Sequence, residues 1–88
     1  MDLNDIRAEI NDVDKQLQEL FNRRMELCGQ VAAYKIENGL PVFQKDREKE
    51  VIARVTDGAP DDLKGATRVY FQTMMDISKM SAIPQDVR

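Results

Sequence analysis

The feature that most constrains the fold is an apolar repeat in the first third of the chain. Apolar side chains recur every three or four positions, at Leu3, Ile6, Ile10, Val13, Leu17 and Leu20, and after one interrupted position the repeat resumes at Leu27, Val31 and Tyr34. This is the a/d spacing of a helix that packs against other helices. No proline interrupts the repeat, so we predict one helix over residues 3–35, about 50 Å long at a rise of 1.5 Å per residue.

A helix of that length is longer than the rest of the chain can cover. The chain has 88 residues, and a compact domain of this size has a radius of gyration of about 12 Å. The helix therefore overhangs the domain and leaves part of its apolar face exposed, which usually marks a partner surface. Because a second copy is the simplest partner, we predict a homodimer with two-fold symmetry.

Two shorter helices complete the predicted fold. Asn38-Gly39 is a signal that ends the first helix. Apolar spacing then predicts a second helix of roughly 11 to 12 residues, which starts around Lys45-Asp46 and is ended by Asp57-Gly58. A third helix is predicted to start at Leu63, after Asp61 or Asp62 as its N-cap, and to end before Pro84. The chain is thus predicted to be all-α, with one three-helix domain over residues 1–83 and a flexible tail over residues 84–88.

Composition narrows the possible functions. The net charge is −3, which does not favour nucleic acid or an anionic membrane surface as a partner. No apolar run approaches the roughly 20 residues of a membrane span, and the N-terminus lacks the basic and apolar regions of a signal peptide. The single cysteine, Cys28, cannot form an intrachain disulfide, which fits a reducing cytoplasm.

The absence of histidine narrows the chemistry. Histidine is the usual acid–base catalyst at neutral pH, and the sequence contains none. With no histidine and only one cysteine, the chain can form neither a zinc cluster nor a Ser-His or Cys-His nucleophile pair. We therefore expect no metal and no cofactor.

Two cations lie on the apolar face of the predicted first helix. Arg24 occupies a position where an apolar residue is expected, and Lys35 follows eleven residues later. At about 100° and 1.5 Å per residue, the two directions agree within about 20° and the residues are about 16 Å apart. Together they could hold a small anionic ligand from both ends. The alternative is that Arg24 pairs with a glutamate such as Glu48, and that Lys35 is a solvated lysine at a helix end.

Three other polar residues are open to a structural or a functional interpretation. Arg47 and Glu48 lie in the charged first turn of the second predicted helix, where solvated side chains are common. Ser78 lies on the inner shoulder of the third helix, where a hydroxyl often bonds back to its own backbone. Residue type alone assigns none of them to a binding site.

In combination, however, these residues match a known family. The matching features follow one another along the chain: Arg7, Ile10 and Asp14, residues 20–27, Lys35, residues 38–42 and residues 46–48. The chain resembles the all-helical class of chorismate mutases over nearly its full length. The resemblance implies an intertwined homodimer of three-helix subunits with two active sites, which convert chorismate to prephenate in the biosynthesis of phenylalanine and tyrosine.

The resemblance also implies a substrate site shared between the two chains. Arg7 of one chain would enter the site of the other, and the implied catalytic residues are Arg7, Arg24 and Lys35. The full set of implied substrate-binding residues is Arg7, Arg24, Lys35, Gln44, Arg47, Glu48, Ser78 and Ala82. The reaction is a unimolecular rearrangement, so the lack of histidine is no obstacle.

Two positions depart from the family pattern. Gln44 stands where some members carry aspartate, in a contact that backbone can also make. Ala82 stands where a glutamine or glutamate normally donates to the ether oxygen, and alanine has no donor. Three interpretations follow: the register of the third helix differs, Gln85 supplies the donor, or the protein is a slow catalyst.

Two other functions are compatible with the sequence. One is an isochorismate-pyruvate lyase, which uses the same scaffold and a similar cage of cations. The other is a non-catalytic helical dimer, which the alanine at position 82 favours. Product analysis with both substrates distinguishes the three functions.

Overall fold

The protein folds into three α-helices. The computed structural model describes residues 1–42 and 44–82, except for the side chains of Ser81 and Ala82. The elements are α1 (Leu3–Glu37), α2 (Lys45–Asp57), a 3₁₀ turn (Asp61–Leu63) and α3 (Lys64–Ala82). The described residues contain no β-strand, so the all-α prediction is confirmed. The predicted tail, residues 84–88, lies outside the described residues.

Local hydrogen bonds fix both ends of α1. At its start Asp2 and Asp5 form a reciprocal capping box, in which the Asp5 amide donates to Asp2 Oδ1 at 2.9 Å. At its end Gly39 has a φ of +67°, which a residue with a Cβ rarely adopts. The Leu40 amide then donates to the Lys35 carbonyl at 2.8 Å, as in a Schellman motif. This turn fixes the position of the helical turn that carries Lys35.

α3 packs against the second half of α1, and α2 packs against α3 rather than directly against α1. Every residue from 3 to 20 is exposed within the single chain, and half-buried positions begin at Phe21. The molecule measures 54 × 29 × 19 Å. Its radius of gyration is 16.3 Å, against about 12 Å for a compact chain of this length. The predicted overhang of α1 is therefore confirmed.

The overhanging half of α1 carries a continuous apolar stripe. Its members are 43–65% exposed, and they are Leu3, Ile6, Ile10, Val13, Leu17 and Leu20. A stripe of this extent is typical of a protein interface. Charged residues separate its members along the chain, and among the described residues no helix is long and apolar enough to cross a lipid bilayer.

A small core is formed by residues from all three helices. Its buried residues are Ala32 from α1, Val51 from α2, and Met74, Met75 and Ser78 from α3. Each fully buried apolar side chain contributes about 1.5–3 kcal/mol, so a core of this size stabilises one chain only modestly. The core also forms one side of the cleft that holds the candidate site.

Candidate functional site

A cleft of about 230 Å³ opens beside the core, between the three helices. Its α1 wall is built from positions three or four residues apart, which share one face of the helix. The lining residues are Arg24, Cys28, Val31, Ala32 and Lys35 from α1, Val42 and Gln44 from the linker, Arg47, Glu48 and Val51 from α2, and Met75, Ser78 and Lys79 from α3. Pockets for drug-sized ligands measure roughly 300–1,000 Å³, so this cleft suits a smaller molecule.

The cleft brings together six of the eight residues predicted for the site: Arg24, Lys35, Gln44, Arg47, Glu48 and Ser78. Arg7 does not line it. That arginine is exposed on the overhanging half of α1, about 25 Å from Arg24 along the helix axis. The backbone of Ala82 forms the end of α3, and its side chain lies outside the described part of the chain.

Arg24 is half-buried and contacts neutral groups. Its Nη1 donates to Ser78 Oγ at 3.2 Å and approaches Cys28 Sγ at 3.6 Å. Ser78 in turn donates to the Met74 carbonyl at 2.9 Å, so the predicted bond to its own helix is confirmed, and the hydroxyl also orients Arg24. Within the described residues Arg24 forms no ion pair, and the alternative pair with Glu48 is not formed. A guanidinium with neutral contacts keeps its capacity to bind an anion bidentately.

Lys35 reaches from the last turn of α1 to the linker before α2. Its Nζ donates to the Val42 carbonyl and to Gln44 Oε1, each at 3.3 Å. Lys35 lies in the last turn of α1, as the alternative predicted, but its side chain is half-buried and bonded to the linker rather than only to solvent. Since both acceptors are neutral, no carboxylate offsets its positive charge at these two contacts. Gln44 makes no side-chain cap on α2 and instead holds Lys35.

The first turn of α2 carries one exposed and one half-buried charge. Arg47 pairs with Glu50 at 2.8 Å, and more than half of each side chain is exposed. The solvated alternative therefore fits Arg47, although this residue lines the cleft. An exposed pair of this kind is worth at most about 1 kcal/mol, so Arg47 can exchange it for a ligand carboxylate. Glu48 differs, because its Oε1 is buried and lies 2.7 Å from Lys79 Nζ.

Lys79 lines the cleft but was not predicted from the sequence. Its Nζ is 2.7 Å from Glu48 Oε1 and 3.5 Å from Asp76 Oδ1. Hydrogen bonding to Glu48 raises the pKa of Lys79 above its ordinary value; desolvation opposes this effect, and the charges of Glu48 and Asp76 reinforce it. Lys79 is therefore positively charged at neutral pH. No local signal in the sequence marks this lysine, because its pairing with Glu48 of α2 depends on tertiary packing.

The cleft is cationic although the protein is acidic. Its lining holds four cations, Arg24, Lys35, Arg47 and Lys79, and one carboxylate, Glu48, in a chain of net charge −3. A cleft lined mainly by one sign of charge concentrates ligands of the opposite sign. The fold and the site thus define a small all-helical domain with a cleft for a small anionic ligand.

Comparison with known proteins identifies the family. Residues 6–82 match the family model described as chorismate mutase type II. The chain belongs to the chorismate mutase type II family, and the family predicted from its sequence is confirmed.

Curated relatives are similar to parts of the chain. The T-protein of Haemophilus influenzae is 44% identical over 46 residues, which are 52% of this chain and 12% of that protein. The bifunctional chorismate mutase/prephenate dehydratase of Buchnera aphidicola is 36% identical over 56 residues, which are 64% of this chain and 14% of the relative. The T-protein of Enterobacter agglomerans is 36% identical over 52 residues, 59% of this chain and 14% of that protein.

The chain therefore spans 12–14% of the length of these relatives. No solved protein structure gives a significant match to it.

Proposed function

We propose that this chain is a chorismate mutase, which rearranges chorismate to prephenate in the cytoplasm, as a step in the biosynthesis of phenylalanine and tyrosine. The observation that carries the proposal is the convergence of Arg24, Lys35 and Arg47 on one cleft that also contains the carboxylate of Glu48. Chorismate is a dicarboxylate with a ring hydroxyl. It therefore requires cations for its carboxylates and an acceptor for its hydroxyl. Membership of the family supports the same assignment.

The rearrangement requires the protein only to bind the substrate in the reactive conformation and to stabilise the charge that develops. One ether C–O bond breaks while one C–C bond forms, without proton transfer or a covalent intermediate. Arg24 and Arg47 bind the carboxylates through their planar guanidinium groups, and this holds the folded conformer in which the new bond forms. Negative charge develops on the ether oxygen as its bond breaks, and the ammonium of Lys35 stabilises that charge. Glu48 accepts the hydrogen bond from the ring hydroxyl.

A second copy of the chain completes the proposed site. It covers the apolar stripe on the overhanging half of α1, whose members are 43–65% exposed in one chain. Arg7 lies about 25 Å from Arg24 of its own chain, which is too far for both to bind one small ligand. An antiparallel arrangement of the two α1 helices brings Arg7 toward the cleft of the other subunit.

Sedimentation equilibrium at micromolar concentration tests the dimer. We expect twice the chain mass of 10.1 kDa. A folded, helical monomer under these conditions would contradict the proposal.

Turnover of chorismate by the purified protein tests the function. We expect prephenate as the product, at a rate that saturates with substrate. Isochorismate, assayed in parallel, tests the lyase alternative, whose product is pyruvate. Arg24→Ala, purified in the same way, is the control for a contaminating enzyme. If wild-type protein forms neither product above the uncatalysed rate, the proposal is refuted and the non-catalytic dimer is favoured.

A further inference from the structure

We propose that Lys79 is a positioning residue of this site, which keeps the Glu48 carboxylate away from the arginines and directed at the hydroxyl of the substrate. The inference rests on the proposed function, because it concerns the binding of the same substrate. Lys79 is absent from the set of residues that the family resemblance implies.

A single carboxylate in a cationic cleft has competing partners. Glu48 lines the same cleft as Arg24, Lys35 and Arg47. Arginine and carboxylate form strong bidentate pairs, so Glu48 could occupy the donors that the substrate carboxylates need. In the structure Arg24 contacts the neutral Ser78, and Glu48 is paired with Lys79 instead. Lys79 thus leaves the guanidinium of Arg24 available to the substrate.

The contact also determines which oxygen of Glu48 faces a ligand. Oε1 is buried where it meets the Lys79 ammonium at 2.7 Å. The side chain of Glu48 nevertheless retains 23% of its exposure. With Oε1 buried, Oε2 is the oxygen that a ligand hydroxyl can reach. The ion pair therefore orients the carboxylate as well as restraining it.

The side chain of Lys79 is also restrained by residues of its own helix, α3. Asp76 Oδ1 lies 3.5 Å from Lys79 Nζ, and Gln72 Nε2 donates to the same Asp76 oxygen at 3.1 Å. The three residues are spaced four and three positions apart, so they lie along one face of α3. Two anionic contacts restrict the long lysine side chain, and Glu48 of α2 is thereby tied to α3 across the cleft.

A double-mutant cycle on the full chain tests this role, with Lys79→Met, Glu48→Gln and the double variant assayed for chorismate turnover. In the wild-type background we expect Lys79→Met to lower kcat/KM about tenfold, mainly through KM, because the released carboxylate competes for the arginines. In the Glu48→Gln background we expect a change of less than about twofold, because a neutral amide does not compete. Lys79→Arg keeps the cation and should stay within about threefold of wild type.

Lys64→Met is the matched control. Lys64 and Lys79 have nearly equal side-chain exposure, 38% and 37%, but Lys64 donates to the Thr56 and Ala59 carbonyls at 2.7 and 3.1 Å and lies outside the cleft. We expect this variant to melt at a lower temperature while its folded form keeps the wild-type kcat/KM.

The outcomes separate this inference from the proposed function. If Lys79→Met costs the same factor in both backgrounds, or if arginine does not rescue it, Lys79 does not act through Glu48 and the inference is overturned. If the wild-type protein itself does not convert chorismate, the proposed function is refuted, and the role of Lys79 in that function is refuted as well.

Discussion

Replacing Arg24 with alanine separates a binding role from a structural one. Arg24 donates to Ser78 Oγ at 3.2 Å and approaches Cys28 Sγ at 3.6 Å, and both partners are neutral. Breaking a buried ion pair would cost about 3–5 kcal/mol of stability. A hydrogen bond from a charged donor is worth about 1.5 kcal/mol at the lower end of its range, and that end fits a contact of 3.2 Å. We therefore expect Arg24→Ala to reduce the free energy of unfolding by no more than about 1.5 kcal/mol.

The expected loss of activity is much larger. A bidentate contact between Arg24 and a substrate carboxylate comprises two charge-assisted hydrogen bonds, each worth about 1.5–3 kcal/mol. Losing both raises the barrier from free enzyme and substrate by about 3–6 kcal/mol, which corresponds to a fall in kcat/KM of about 10²–10⁴. Activity and stability should thus respond to this substitution on different scales.

Initial rates of chorismate consumption and thermal melts followed by circular dichroism, on the same preparations, measure the two effects. Arg23→Ala is the matched control, because this neighbouring arginine is exposed and lies outside the cleft. The reasoning is refuted if Arg24→Ala loses about 3 kcal/mol or more of stability, as a broken buried pair would. It is also refuted if kcat/KM falls by less than about tenfold.

Three further predictions follow from the same site. Arg7→Ala and Lys35→Ala should each be inactive as homodimers, and a mixture of the two should recover about a quarter of wild-type activity, because half of the dimers are mixed and each mixed dimer has one intact site. No recovery after verified subunit exchange would exclude a shared site. Ala82→Gln should raise kcat more than it changes KM, by at most about 10²–10³, and a fall in kcat, with Gln85→Ala inactive, would place the donor in the tail. The pKa of Lys79, followed by NMR of its side chain, should lie above the ordinary value of 10.5 in the wild-type protein and return toward that value in Glu48→Gln. Because the pKa is raised in the folded state, the stabilisation by the ion pair is complete at pH values below 10.5 and is lost as the pH rises through the folded-state pKa.

The helices were predictable because their signals are local. The apolar repeat and Asn38-Gly39 predicted a helix over residues 3–35, and α1 spans Leu3–Glu37. The third helix was predicted to start at residue 63, but a 3₁₀ turn covers Asp61–Leu63 and α3 starts at Lys64. Apolar spacing does not distinguish a single 3₁₀ turn from a single α-helical turn, because the two differ in which carbonyl each backbone amide bonds to.

The candidate site was predictable only where a residue breaks a pattern or matches a family motif. Arg24 was found because a cation interrupts an apolar face. Lys79 was missed because a lysine on the flank of a helix is ordinary, and its importance depends on Glu48 from another helix. Such a partnership is a property of tertiary packing, which helical periodicity does not contain.

The solvent-exposed half of α1 has a consequence for how the protein folds. Residues 3–20 have no buried position within their own chain. Most helical stability in proteins comes from the packing of an apolar face rather than from intrinsic propensity, and the capping box of Asp2 and Asp5 adds only about 1 kcal/mol. In the proposed dimer the other chain therefore supplies most of what keeps this half helical. Helix formation and association then become a single bimolecular event, so the refolding rate should depend on protein concentration and the melting temperature should rise with it.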